Sequence, residues 1–489
     1  MNNKAPNILL IMADQLAHDV IGALGHPAVK TPNLDELARN GVVFENCYCN
    51  SPLCAPSRAS FVTGTHIRNN GVYDNGAELP ASSMTVMHHL RRAGYDTVLA
   101  GKMHFLGPDQ LHGYNQRLTT DIYPAGFDWT PDWTLGAVPN PGTSAARLQE
   151  PRVCDWNTQM AYDEEVLFRT LEKLRVLQSG DTPFFLTASF THPHCPFRIS
   201  KEYYDLYDGA DIPIPSAPAN NIAETHPYNR WIQIHHECDT HPLSREEIQD
   251  NRRVYYAMVT YFDGLAGRIL DELTRLDMRD ETIVIVTSDH GEMLGEHGMW
   301  FKRTFYDPAV KVPLIVSWPG QYAPARRSET VSLVDVSATL LELGGVPDRE
   351  EWFDGMDGDS LTGLLTGDDT DWKNQALVEY YAEGTIRGMA ALVRGRHKYV
   401  YVQGHEPLLF DLNADPEETT NLAADPRYAE LCAGMRAGID PDTVDAIEKK
   451  VFQSQRVRLA LNRTQLKEGV TWGWDYQPNY DASKMYFRD

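Results

Sequence analysis

Short, unbroken runs of apolar residues recur along the chain and predict buried strands. Such runs are typical of strands that are covered on both faces of a parallel sheet. They occupy Asn7–Asp14, Tyr95–Lys102, Phe184–Phe190, Thr282–Ser288 and Val312–Trp318. Predicted helices separate them and include Thr31–Asn40, Met84–Ala93, Tyr162–Gln178 and Ser244–Leu276. This alternation predicts an α/β fold with a mostly parallel, doubly wound central sheet flanked by helices on both faces.

The pattern changes after about Trp372, where short strands follow one another at hairpin spacing. These strands are Ala376–Tyr381, Met389–Arg394, Lys398–Gln403 and Leu408–Leu412. A helical stretch and an aromatic-rich tail to Asp489 come next. We therefore expect an α/β domain over residues 1–372 and a smaller C-terminal α+β subdomain over residues 373–489. The aromatic-rich segment Gly107–Trp133 and the Pro- and His-rich segment 208–243 are expected to be irregular.

The stretch S-P-L-C-A-P-S-R places a cysteine just ahead of a predicted helix. Pro56 suits the first helical turn, where its missing N–H has no partner to lose, and Gly64 favours a stop. Cys54 then lies at the helix N-terminus, where free N–H groups and the helix dipole favour negative charge. With Arg58 nearby, this cysteine is suited to attack a tetrahedral oxyanion. The competing interpretation is an ordinary buried cysteine.

Polar residues stand at the ends of four predicted strands. They are Asp14 with Gln15, Lys102 with His104, His192 with His194, and Asp289 with His290. Each of them alone is equally typical of a turn, a helix cap or a solvated side chain. Open α/β sheets bind their ligands at the carboxyl ends of the strands, so the four groups together predict one site in that crevice.

Part of this set is suited to a divalent metal ion. Asp14 and Asp289 offer hard oxygen ligands, and Gln15 can add a neutral carbonyl, which favours Ca²⁺ or Mg²⁺. His290 is less typical of calcium and keeps Mn²⁺ or another transition metal open. An ion at this place would neutralise an oxyanion and orient a nucleophile.

The remaining candidates carry positive charge or protons. Arg58, Lys102 and Lys302 are expected to balance negative charge that develops on the leaving oxygens. His104 and His192 are the candidate proton carriers, because imidazole changes its charge near neutral pH.

Composition excludes several classes of protein. With 489 residues, 42% hydrophobic and 23% charged, the chain is typical of a globular, soluble protein of more than one simple domain. A net charge of −24 argues against nucleic acid and polyanionic polymers, and mildly favours small or cationic substrates. Seven scattered cysteines with no C-x-x-C pair predict neither a disulfide framework nor a zinc site. No run approaches the length of a membrane span, and we expect a cytoplasmic protein.

Six segments together resemble the type I sulfatases of the alkaline phosphatase superfamily. They are P-N-I-L-L-I-M-A-D-Q, L-C-A-P-S-R, G-K-M-H, T-H-P-H, S-D-H-G-E-M-L-G-E-H-G and P-L-L-F-D-L-N-A-D-P-E-E-T-T-N-L. They cover about Asn7 to Leu422. The resemblance implies the alkaline-phosphatase-like sulfatase fold and hydrolysis of a sulfate monoester. It also implies that a maturation enzyme converts Cys54 to formylglycine.

The same resemblance implies roles for individual residues. The hydrated formylglycine at position 54 would bind Ca²⁺ through the hydroxyl that attacks sulfur. His104 would take the proton of its second hydroxyl when sulfate leaves and the aldehyde re-forms. His192 and Lys302 match positions that assist the departing alcohol. The partners implied are a small sulfated substrate and the maturation enzyme, and the assembly implied is a homo-oligomer.

A narrower resemblance is to the choline-sulfatase branch of this family. It rests on G-P-D-Q-L-H-G-Y, R-L-T-T-D-I-Y-P-A-G-F-D-W-T-P-D-W and W-D-Y-Q-P-N-Y-D-A-S-K-M-Y. Trp129, Asn75 and Glu383 match positions that hold the trimethylammonium group, in which an aromatic face attracts the cation. The chain stops at Asp489, whereas members of that branch usually continue.

Three alternatives stay open at this point. The first is a sulfatase that acts on sulfated mono- or oligosaccharides. The second is a phosphonate monoester or phosphodiester hydrolase, because Gln15 and His290 also resemble that branch. The third is a non-catalytic binding protein, which would follow if Cys54 were never modified.

Overall fold

The computed structural model describes residues 5–150, 152–216, 225–346, 355–368 and 371–469, so the aromatic-rich tail lies outside the described residues. In chain order, its strands are β1 Asn7–Ala13, β2 Val42–Tyr48, β3 Asp96–Gly101, β4 Gln116–Arg117, β5 Val153–Cys154, β6 Phe184–Ser189, β7 Ile199–Ser200, β8 Thr282–Ser288, β9 Met293–Leu294, β10 Trp300–Phe301, β11 Lys311–Ser317, β12 Ala325–Ser332, β13 Gln375–Tyr380, β14 Met389–Arg394, β15 His397–Val402 and β16 Leu408–Asp411.

The α-helices fill most of the segments between these strands. They are α1 Pro32–Arg39, α2 Cys54–Thr63, α3 Ile67–Asn70, α4 Val86–Arg92, α5 Thr158–Leu177, α6 Lys201–Asp205, α7 Pro227–His235, α8 Arg245–Arg275, α9 Asp307–Val310, α10 Leu333–Leu343, α11 Thr362–Thr366, α12 Ala429–Ile439 and α13 Pro441–Glu468. None of the helices in the described ranges combines the length and apolarity that a bilayer crossing requires.

Among the described residues, eight strands form the central sheet in the order β12-β2-β11-β8-β1-β6-β3-β4. β1 pairs in parallel with β6 on one side and with β8 on the other, and β3 extends the parallel set beyond β6. β11 runs antiparallel to both of its neighbours, β8 and β2. The predicted mostly parallel sheet is therefore confirmed.

Helices cover both faces of this sheet, as predicted. The side chains of Ile8 and Leu10 pack with α2, α4 and α10, whereas Leu9 and Ile11 pack with α1, α5 and α8. All four of these β1 side chains are fully buried. This double coverage explains why β1 is an unbroken apolar run rather than an alternating one.

Several elements of the fold were not predicted, among them β2, β12, α7 and α10. β2 contains Glu45 and Asn46, which interrupt its apolar pattern. β12 contains polar residues because it lies at the end of the sheet and exposes part of its length. The helix α10 was also missed. The expectation that 208–243 is irregular is wrong over Pro227–His235, which forms α7. In α7 the apolar residues recur at helical spacing, but prolines and histidines on either side obscured that period.

The C-terminal part forms a separate antiparallel sheet, β13-β14-β15-β16, as predicted. It attaches to the first part beside the segment that leads into α2. The N–H of Glu379 donates to the carbonyl of Asn50 at 3.0 Å, and Arg68 Nε donates to Glu379 Oε1 at 2.7 Å. The boundary at residues 372/373 remains a prediction.

Candidate active site

The carboxyl ends of the parallel strands bring the predicted polar residues to one edge of the sheet. Asp14 follows β1, Asp289 follows β8 and Lys102 follows β3, and all three side chains are fully buried. Gly101 makes the turn after β3. Its φ is +105°, and a Cβ at this position would lie 1.9 Å from the carbonyl oxygen of Ser189. Only glycine therefore fits at position 101. The close contact of Gly101 with Ser189 fixes the position of the next residue, Lys102.

The helix that carries the cysteine begins slightly earlier than predicted, at Cys54 itself. Cys54 is the first residue of α2 rather than the residue ahead of it, and Leu53 precedes the helix in an extended conformation. The N–H of Ala55 donates to Asn75 Oδ1 at 3.0 Å, which pairs one of the free donors of the first turn. The helix ends at Gly64 in the left-handed conformation, as predicted.

Cys54 lies among cationic groups. Lys302 Nζ and His290 Nε2 are each 3.2 Å from its Sγ, and Asp14 Oδ1 is 3.8 Å away. Burial alone would raise the pKa of this thiol, but Lys102, Lys302 and His290 outweigh burial and hold the pKa well below its usual value. Position 54 is therefore built to stabilise negative charge.

Asp14, Cys54, Asp289 and His290 form a group that fits a metal ion. One ligand atom from each residue lies within 4.8 Å of the others, and all four residues are buried. His290 Nδ1 lies 2.9 Å from the carbonyl oxygen of Gly291. Because a carbonyl only accepts, Nδ1 carries the hydrogen, and the lone pair of Nε2 faces the carboxylates. This arrangement is typical of a metal-ligating histidine.

Cations bind the outer oxygens of the two carboxylates. Arg58 Nε donates to Asp289 Oδ2 at 2.8 Å, and Lys102 Nζ donates to Asp14 Oδ2. Burial and the neighbouring Cys54 would raise the pKa of Asp14. Lys102, His194 and Arg58 outweigh both effects and lower this pKa to about 2. The carboxylate oxygens labelled Oδ1 remain directed towards His290, each 3.7 Å from its Nε2.

Gln15 has partners other than the predicted metal. Its Oε1 accepts a hydrogen bond from Lys302 Nζ at 2.5 Å, and its Nε2 donates to Glu292. Gln15 therefore holds Lys302 against Cys54. Whether it also ligates an ion remains a prediction.

His104 lies where a proton acceptor is needed. Its main-chain N–H donates to Asp121 Oδ2 at 2.8 Å, which fixes a turn of positive φ (60°). Neither ring nitrogen has a hydrogen-bond partner among the described residues, and the ring is buried. The ring contacts Tyr123 and Trp129, with centroids 5.0 and 5.6 Å away.

The structure places His194, rather than His192, beside the cysteine. His192 Nδ1 lies 2.7 Å from Asp163 Oδ2, and its ring packs against Tyr261 of α8, on the helix side of the motif. His194 Nε2 lies 2.9 Å from Lys302 Nζ, and this ring lines the cavity that leads to Cys54. Which of the two histidines assists the departing alcohol remains a prediction.

A cavity of about 530 Å³ opens above Cys54. Asn75, Trp129 and Glu383, the predicted substrate-binding residues, all line it. Trp129 is 41% exposed, so its ring is available to a ligand. Glu383 is not free, because Arg303 Nη2 donates to its Oε1 at 2.6 Å.

Sequence reasoning assigned no role of their own to Tyr123, His194 and Arg303, which also line this cavity. His194 belongs to the motif T-H-P-H, which contains two histidines. In an irregular segment, the sequence does not show which of the two side chains faces the cavity. Arg303 directly follows Lys302, which was the available signal. Tyr123 lies under Lys102 Nζ, 4.3 Å from its ring centroid, and only the fold reveals that contact.

This geometry defines a class of enzyme. A nucleophile position at a helix N-terminus, a group of metal ligands and a set of buried cations are suited to hydrolysis of an anionic ester.

Comparison with known proteins identifies the family. The family "Sulfatase" matches residues 6–346, and the family "N-sulphoglucosamine sulphohydrolase, C-terminal" matches residues 295–443. The chain belongs to the sulfatase family and is a sulfuric ester hydrolase, which confirms the predicted class. Family membership implies a bound metal ion, and the buried group of four ligands is its candidate site.

Individual relatives agree with this assignment. The chain is 39% identical to a choline-sulfatase of Rhizobium meliloti (strain 1021) over 512 aligned positions, covering 100% of this chain and 97% of that protein. It is 29% identical to an arylsulfatase of Clostridium perfringens (strain 13 / Type A), covering 88% and 93%. The crystal structure of a phosphonate monoester hydrolase of Agrobacterium radiobacter is similar with a TM-score of 0.73 at 27% identity, covering 91% and 96%.

Proposed function

We propose that the protein hydrolyses the sulfate monoester of a small, choline-like alcohol, with formylglycine made from Cys54 and with Ca²⁺. The observation that carries this proposal is the position of Cys54 below the cavity, with Lys302 Nζ and His290 Nε2 each 3.2 Å from Sγ. The 39% identity to a choline-sulfatase over the whole chain supports the choice of alcohol.

The metal ion would be held by Asp14, Asp289, His290 and the oxygen of the converted residue 54. Ca²⁺ is proposed because carboxylate oxygens dominate this set, while the imidazole keeps Mg²⁺ and Mn²⁺ as alternatives. When bound, the ion neutralises negative charge on the sulfate oxygens.

The chain's own residues divide the remaining work. Lys102 and Lys302 face position 54 and stabilise negative charge on the sulfuryl oxygens, while Arg58 orients both carboxylates. His104, whose ring nitrogens are free of other partners, takes the proton from position 54. His194 supplies the proton to the departing alcohol oxygen. Burial and Lys302 would lower the pKa of its imidazole, but Cys195 and Asp14 outweigh both effects and raise this pKa to about 10.

The alcohol part would lie in the outer cavity. The ring of Trp129 presents a partly exposed face, and a quaternary ammonium on such a face gains roughly 0.5–2 kcal/mol. Glu383 adds a carboxylate whose second oxygen, Oε2, is buried and has no hydrogen-bond partner among the described residues. Asn75 closes the inner end of the cavity, next to α2.

A second candidate is a sulfated sugar. The observation that favours it is the pair of Arg303 and Glu383, because a carboxylate that is already neutralised attracts a cation less strongly. Arg147 also lines the cavity and suits hydroxyl groups. Tryptophan faces stack on sugar rings as well as on cations.

A side-by-side assay of choline sulfate, sulfated monosaccharides and an uncharged aryl sulfate separates these candidates. We expect the highest kcat/KM for choline sulfate, and we expect Trp129→Ala and Glu383→Gln to raise its KM by roughly three- to thirtyfold, as loss of a cation–π contact predicts. KM for the uncharged aryl sulfate should change less. A higher kcat/KM for a sulfated sugar than for choline sulfate would replace the first candidate with the second.

A further inference from the structure

Helix α13 turns three buried polar side chains towards the cavity wall. Gln455, Arg458 and Asn462 are between 2% and 7% exposed, and spacings of three and four residues place them on one face of the helix. Buried polar groups destabilise a protein unless they are hydrogen-bonded. The partners of these three side chains therefore indicate what this face of the helix does.

Arg458 joins two separate segments of chain. Its Nη1 and Nη2 donate to the two carboxylate oxygens of Asp74 at 2.6 and 2.7 Å, and Nη1 also donates to Thr130 Oγ1 at 3.0 Å. Asp74 is fully buried, so the pair is shielded from solvent. A planar guanidinium in a two-point contact fixes orientation as well as distance.

The other two side chains hold the same wall. Asn462 Nδ2 donates to the carbonyl of Phe127 at 2.6 Å, and the N–H of Trp133 donates to Gln455 Oε1 at 3.1 Å. Loop 127–133 is thus held by α13 at its beginning, middle and end. The two segments also press together, because a Cβ at Gly76 would lie 2.5 Å from the backbone nitrogen of Thr130.

The residues that Arg458 holds lie in the cavity wall or next to it, and Thr130 itself lines the cavity. Thr130 follows Trp129, and Asp74 precedes Asn75. Asn75 in turn accepts the hydrogen bond from the N–H of Ala55, next to the nucleophile position. Arg458 itself does not line the cavity, so any effect it has on a substrate must pass through these neighbours.

We propose that Arg458 is a positioning residue that sets the place of Trp129 and Asn75 in the wall that binds the alcohol part of the substrate. The proposal rests on the proposed function of that wall. Arg458 is distant in sequence from the wall residues that it would position. It makes α13 a structural part of substrate recognition rather than a distant support.

The test uses the full-length, matured enzyme and the substrate that the wild type turns over fastest, whether choline sulfate, a sugar sulfate or the aryl sulfate. Arg458→Met should raise KM roughly tenfold, because small displacements of positioned groups cost that much or more. The matched control is Arg456→Met, an exposed arginine on the same helix, which should leave KM unchanged. In the Trp129→Ala background, Arg458→Met should raise KM by a smaller factor than in the wild type, because the part of its effect that passes through Trp129 is already lost.

Two milder variants keep the test decisive if Arg458→Met does not fold. Asn462→Ala and Gln455→Met each remove one link to loop 127–133 without exposing a buried charge, and each should raise KM more in the wild-type background than in the Trp129→Ala background. Equal factors in the wild-type and Trp129→Ala backgrounds would overturn the proposal. A fall in Tm with unchanged KM would overturn it too. Because the substrate panel is measured first on the wild type, failure of the choline proposal is seen separately.

Discussion

His192 and His194 belong to one four-residue motif but have different surroundings. Asp163 accepts from the main-chain N–H groups of Thr191 and His192 and contacts the ring of His192, so that ring is part of the scaffold. The ring of His194 meets Lys302 and the cavity. The environment of each ring, rather than its residue type, is thus the basis for proposing His194 as the proton donor.

We expect His194→Ala to lower kcat by roughly 10²- to 10⁴-fold, the usual contribution of a general acid. The loss should be larger for an alkyl sulfate than for an aryl sulfate, because a good leaving group needs less protonation. The matched variant is His192→Asn, whose amide can still donate to Asp163 and which should keep kcat within about threefold of the wild type. Steady-state kinetics on both substrates checks this. The reverse ranking of the two variants would return the role to His192.

The sequence allowed most of the inner site to be predicted at this scale. Asp14, Cys54, Asp289 and His290 follow recognisable strand ends and a helix start, and the structure brings them together. The residues of the outer cavity were harder to predict from the sequence, because Tyr123 and Arg303 lie in irregular segments. Side-chain direction in such segments depends on tertiary contacts that no local period encodes.

At the scale of elements, burial decided which strands could be recognised. β1 and β8 are covered on both faces and appear as unbroken apolar runs. β12 alternates between exposed and partly buried positions over its first half, so its A-R-R-S-E is typical of a loop as much as of a strand. Strands at the end of a sheet lose the apolar pattern because solvent covers part of them.

The close backbone contact at the end of β3 leads to a prediction about stability and turnover. We expect Gly101→Ala to lower both Tm and kcat, because its Cβ would meet the carbonyl oxygen of Ser189 at 1.9 Å and displace Lys102. Gly94→Ala is the matched control, since Gly94 also has a positive φ (95°) but nothing lies within 4 Å of its added Cβ. The control should cost only about 1–3 kcal/mol of backbone strain.

Thermal unfolding and turnover of the two variants provide the measurement. Gly101→Ala should be the less stable of the two and should lose activity, whereas Gly94→Ala should keep its kcat. Equal stability and equal kcat in both variants would show that the close contact with Ser189 does not fix Lys102.

At the scale of the whole molecule, the site concentrates positive side chains in a protein of net charge −24. Arg58, Lys102 and Lys302 are at most 1% exposed. Arg58 and Lys102 are balanced locally by Asp14 and Asp289 rather than by the distant surface, while Lys302 contacts Cys54. The site therefore carries its own electrostatic environment.

Removal of the metal ion should affect stability as well as rate. We expect chelation to abolish activity and to lower Tm, because an ion that binds only the folded state stabilises it. Addition of Ca²⁺ should restore both, more effectively than Mg²⁺ or Mn²⁺. Asp289→Asn should show a lower Tm in Ca²⁺ and little further response to the chelator. Full activity in protein with no measurable metal content would contradict the assignment.

The position of α13 against loop 127–133 has a consequence for biosynthesis. The nucleophile helix leaves the ribosome early, whereas Arg458 and Asn462 emerge several hundred residues later. Domains fold in the order in which they are made, so a nascent chain can bury α2 long before its alcohol-binding wall is fastened. On the proposed role of Arg458, substrate selection would therefore be acquired late in synthesis, once α13 has packed against loop 127–133.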